Sequence, residues 1–88
     1  MKRNDFFYLR NIDDIFFLSP SDDLEENEKK IVILNESSAF LWGKMADSFT
    51  ADELVNALLD RYNVSDEIAR QHVTEFISFL SENGCLSN

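Results

Sequence analysis

Apolar residues in the first third of the chain come in short runs separated by polar punctuation. Phe6, Phe7, Tyr8 and Leu9 open the first run, which reaches Ile12. Aromatic and β-branched residues pack well on a pleated surface, so residues 6–12 predict a strand. Asp13 and Asp14 offer a turn. Ile15, Phe16, Phe17 and Leu18 predict a second strand, expected to stop at Ser19-Pro20 because proline cannot donate to a ladder. Residues 21–28 are acidic and polar and read as a solvated loop. Residues 29–34, Lys-Lys-Ile-Val-Ile-Leu, predict a third strand. Short links favour an antiparallel meander.

From Asn35 the apolar period becomes helical. Asn35 or Ser37 is placed to cap a first helix carrying Ala39, Phe40, Trp42, Met45 and Ala46. Thr50-Ala51-Asp52-Glu53 is a capping box, in which hydroxyl and carboxylate each accept from the other residue's amide. Phe49 before it can staple to Leu54. Leu54, Val55, Leu58, Leu59 and Tyr62 then share one face. Ser65 is the expected cap of a third helix, with Asp66 and Glu67 suited to its positive start and Val64 stapling to Ala69. Ala69, Val73, Phe76, Ile77 and Leu80 form its buried stripe. Asn83-Gly84 ends it, since glycine takes the left-handed cap conformation without strain. Cys85 or Leu86 then folds back on Leu80. The expected class is α+β, three antiparallel strands followed by three helices in one domain over residues 1–88. No strand is expected after Gly84.

Composition narrows the function. Apolar residues make up 44% and charged residues 28%, a balance suited to a globular domain. No apolar run approaches the roughly 20 residues of a membrane helix, and Asp5 and Arg10 interrupt any signal-peptide core. A cytoplasmic location is the expectation. Seventeen acidic residues face eight basic ones, for a formal charge of −9. Nucleic acid and anionic membrane surfaces are disfavoured as partners.

Catalytic constellations are missing. One histidine, His72, and one cysteine, Cys85, cannot build a tetrahedral zinc site. Cys85 has no cationic neighbours to lower its pKa and reads as packed rather than reactive. No serine lies in a nucleophile-elbow motif. Gly43 and Gly84 cannot form a phosphate-cradling loop. The acidic residues 22–28 lack the glycine and spacing of a calcium loop. Neither an enzyme nor a cofactor is indicated.

The stretch at residues 31–42, Ile-Val-Ile-Leu-Asn-Glu-Ser-Ser-Ala-Phe-Leu-Trp, resembles the strand-to-helix junction of the PqqD family. Residues 50–64 are similar to that family's second helix. Val73, Phe76, Ile77, Leu80 and Gly84-Cys85-Leu86 resemble its last helix and ending. The likeness covers about two-thirds of the chain. One departure stands out: the family often carries Asp where this chain has His72. The resemblance implies a winged helix-turn-helix-like fold that binds peptides rather than DNA. It implies a stand-alone recognition element for the leader of a ribosomally made precursor. Such an element is non-catalytic and presents the peptide to a modifying partner, namely a radical SAM enzyme, a cyclase or a leader peptidase. A winged-helix transcription regulator and a structural subunit that binds no peptide are the rival readings.

A flexible leader is most simply held by adding it as a strand to a sheet edge. The third strand is the candidate edge, and the resemblance places the peptide between it and the last helix. On that helix, Ile68, His72, Glu75 and Phe79 form a stripe beside the buried one. The expected peptide-binding residues are Lys30, Ile31, Val32, Ile33 and Leu34 on the strand, with Ile68, His72, Glu75, Phe76 and Phe79 on the helix. Lys29 and Lys30 are placed to meet acidic leader residues. The pairs Phe6-Phe7 and Phe16-Phe17 should each put one ring off the helix-covered side, a patch for a partner enzyme or a second copy. Either a monomer or a homodimer is consistent with these features.

Overall fold

The computed structural model describes residues 1–20 and 31–87. Its three-stranded sheet has the order β2 (Phe7–Ile12), β3 (Ile15–Pro20), β4 (Val32–Leu34), antiparallel throughout. The β2–β3 link is a two-residue turn. Asp13 and Asp14 both have positive φ, 52° and 65°. That conformation matches the right-handed twist of the flanking strands, and Asp tolerates it better than most residues. β3 runs two residues further than expected. Pro20 pairs opposite Phe7 at the strand's end, where a missing donor costs little.

Helices α1 (Glu36–Gly43), α2 (Ala51–Arg61) and α3 (Asp66–Glu82) follow. Asn35, not Ser37, caps α1. Its Oδ1 accepts from the Ser38 amide at 2.8 Å, while the Ser37 hydroxyl donates to the same oxygen. The capping box of α2 is complete, with Thr50 N to Glu53 Oε1 at 2.9 Å and Glu53 N to Thr50 Oγ1 at 3.2 Å. Ser65 caps α3 by accepting from the Ile68 amide. At its far end Gly84, at φ 72°, reverses the chain. Cys85 N then donates to Leu80 O and Gly84 N to Ser81 O, which satisfies two carbonyls of the last turn.

The expectation of no strand after Gly84 is corrected. Once Gly84 turns the chain, β5 (Leu86–Ser87) pairs antiparallel with β1 (Lys2–Arg3), with Arg3 opposite Leu86. Two residues are too few to show a period, so neither strand is visible as a pattern. The ladder is reinforced from α1. Arg3 donates to Trp42 O at 2.9 Å and lies 5.2 Å from the centre of the Trp42 ring.

One core joins these layers. Leu18, Val32 and Leu34 face Leu41, Trp42 and Met45, with Leu54, Val55 and Leu58 of α2 and Ala69, Val73, Phe76 and Leu80 of α3. Cys85 closes it and is fully buried, which pushes its thiol pKa up to about 11. Phe7 and Phe16 pack against this core. Phe17 alternates to the opposite face of β3, and Phe6, outside the strand, is 71% exposed.

Candidate functional site

β4 pairs with β3 on one side only, so its other side is a sheet edge among the described residues. Along it the side chains alternate. Val32 and Leu34 are buried, while Ile33 is 68% exposed and Ile31, just before the strand, 46%. Val32 and Leu34 therefore belong to the core and offer an incoming chain only their backbone. Ile33 faces solvent directly.

α3 flanks this edge. A recess of about 270 Å³ lies between them, lined by Ile33, Leu34, Asn35 and Ser38 on one side and His72, Glu75, Phe76 and Phe79 on the other. A second recess of about 420 Å³ continues past Asn35 and His72, toward Leu58, Tyr62, Val64, Ile68 and Ala69. His72 and Asn35 line both. Ser37 Oγ lies 3.1 Å from His72 Nε2 and ties the start of α1 to the middle of α3 at that junction.

Of the residues expected from sequence, Ile33, Leu34, His72, Glu75, Phe76 and Phe79 line the smaller recess, and His72 is shared with the larger. Ile68, 58% exposed, lines the larger alone. Phe76 is chiefly a core residue, 4% exposed. Ile31 and Val32 line neither. Lys30, Lys29 and the acidic segment fall outside the described residues. The expected site residues left out Asn35, Glu36, Ser37, Ser38, Leu58, Tyr62, Val64 and Ala69. Asn35 carries a signal as a helix cap. The approach of Tyr62 and Leu58 to α3 depends on how α2 packs, which no local pattern encodes.

No group of three or more His, Cys, Asp or Glu side chains able to hold a metal occurs among the described residues. No helix is long and apolar enough to cross a membrane. Among the described residues the arrangement offers a sheet edge with no pairing strand, a mainly apolar recess and a smaller mixed one, which suits an extended peptide.

Comparison with known proteins gives the family and the fold. The model of the PqqD family, described as coenzyme PQQ synthesis protein D, matches residues 22–86. The chain belongs to the PqqD family. Among solved structures, "TbiB1 in Complex with the TbiA(beta) Leader Peptide" matches with a TM-score of 0.78 at 19% identity, over 100% of this chain and 96% of that one. At that identity the likeness is one of fold, and it spans all the elements of this PqqD-family chain. No curated protein matches.

Proposed function

We propose that this PqqD-family chain is a non-catalytic recognition element. It binds the leader segment of a ribosomally synthesised precursor and presents the rest of the peptide to a modifying enzyme. The observation that carries this reading is the β4 edge beside the apolar flank of α3, with Ile33 and Phe79 lining one recess. The leader pairs with β4 as an added strand, and its alternate side chains enter the recesses. The TbiB1 structure, which has the same fold and holds a leader peptide, supports leader binding. The modifying partner is a radical SAM enzyme, a cyclase or a leader peptidase.

A DNA-binding role fits poorly. α3 carries Asp66, Glu67, Glu75 and Glu82. Its one arginine, Arg70, is held by Asp52 at 2.9 Å and Asp66 at 3.7 Å. A helix so charged is repelled by phosphate.

The decisive experiment is a titration of labelled precursor leader peptides against the protein, followed by fluorescence anisotropy. Saturable binding is expected. No binding at concentrations on the order of tens of micromolar, with tight binding to duplex DNA instead, would reverse the assignment.

A further inference from the structure

The cleft's charge carries information beyond its shape. The larger recess is lined mainly by apolar groups and the smaller by apolar and polar groups together, and each has one formally charged side chain among its described residues. That side chain is Glu75 in the smaller recess and Glu36 in the larger. Both residues are exposed, and neither forms an ion pair with another described residue. Among the described residues Glu75 accepts only from the Gln71 amide group, at 3.2 Å. The first turn of α3, beside Ile68, adds Glu67, while Asp66 is paired with Arg70 at 3.7 Å. The whole chain carries −9, so an acidic occupant or a second copy would be repelled here.

Resting on the leader-binding reading, we infer that the cleft selects leader segments in which a large apolar side chain is accompanied by a lysine or arginine. The apolar group fills the recess between Tyr62, Ile68 and Ala69, and the cation meets Glu36 or Glu75. Apolar burial supplies most of the attraction. The ion contacts are exposed and individually weak, so they discriminate among leaders and speed encounter rather than dominate affinity. This polarity is opposite to the expectation that Lys29 and Lys30 draw acidic leader residues to the cleft.

The test works without the natural leader in hand. Random twelve-residue peptides displayed on phage are selected on the full chain at low salt. Lys or Arg should be enriched alongside a large apolar residue. A synthetic copy of an enriched peptide should bind Glu36→Gln and Glu75→Gln variants more weakly, by about two- to fivefold where that glutamate makes the contact. The same ratio should shrink in high salt, because exposed charges are screened. Peptides whose binding depends on Phe79 or Ile68 but which show no basic bias, or an acidic one, overturn this inference and leave the leader-binding reading standing. If no peptide is captured, or captured peptides ignore both Phe79→Ala in the smaller recess and Ile68→Ala in the larger, the cleft itself is misassigned and both readings fall.

Discussion

Ser37 Oγ and His72 Nε2 lie 3.1 Å apart across 35 residues of sequence, and their contact stands where the two recesses of the cleft meet. The single hydroxyl proton goes to Asn35 Oδ1, so Ser37 Oγ accepts here from the His72 tautomer that is protonated at Nε2. Removing the hydroxyl should cost about 1 kcal/mol of stability, the usual net worth of such a bond. Ser37→Ala should therefore lower Tm by roughly 4–8 °C, the shift expected for a domain of this size. His72→Ala removes a wall of both recesses and should weaken peptide binding more than it lowers Tm. Melting and titration of both variants check this. Equal effects on both readouts for both variants would argue against a junction role.

Phe79→Ala and Val73→Asp should behave in opposite ways. Phe79 is 39% exposed at the cleft, whereas Val73 is 1% exposed in the core. Loss of the Phe79 ring should weaken leader binding by up to about thirtyfold, some 2 kcal/mol, with little change in Tm. Val73→Asp buries an unpaired charge and should unfold the domain. Early melting of Phe79→Ala with normal binding once folded would move Phe79 into the core.

Ile33→Lys should protect the β4 edge. Native sheets use edge lysines to discourage strand addition. Ile33 is 68% exposed, so the fold should tolerate the change. Circular dichroism should be unaltered while leader titration loses most of its signal. Unchanged affinity would place the peptide elsewhere, for example along β2.

Cys85 should react slowly. Its thiol is buried and its pKa raised from 9.0 to about 11 by desolvation. Labelling by a disulfide reagent at about pH 8 should be slow in the native state and fast in urea. The folded pKa exceeds the unfolded one, so the unfolded state loses its proton first. The contribution to stability is complete below the unfolded value of 9.0 and is lost as pH rises toward about 11. Denaturant midpoints measured across that window should fall, and Cys85→Ser should flatten the fall.

Gly84→Ala isolates a backbone effect. An added Cβ meets nothing within 4 Å, yet φ is +72°. The cost should be about 1 kcal/mol, from the left-handed conformation alone. Urea denaturation measures it directly. A loss of several kcal/mol would indicate that the α3 ending does more than turn the chain.

The elements readable from sequence were those with repeated local signals. The Thr50–Glu53 box, the Ser65 cap and Gly84 each satisfy helix ends by contacts within a few residues, and all three occur where expected. The stripe of Ala69, Val73, Phe76 and Leu80 follows from a 3.6-residue period over 17 residues. β1 and β5 escaped because each has two residues and a partner at the opposite end of the chain. The larger recess was hidden for a similar reason. Its walls come from Asn35, Tyr62 and Ile68, which meet only when three helices pack. On the strand, alternation was legible in principle, but Ile-Val-Ile-Leu is apolar throughout and gives no sign of which members turn outward.

The pairing of Lys2 with Ser87 puts the first and last described strands side by side. None of their residues lines the cleft. A module whose two ends leave at one place can be spliced into a loop of another protein without stretching either junction. The same geometry allows residues 2 and 87 to be joined by a short linker and the chain reopened elsewhere, giving a permuted domain whose cleft stays available. Attachment to a catalytic neighbour, in either format, would then change the local concentration of captured peptide without altering how it is held.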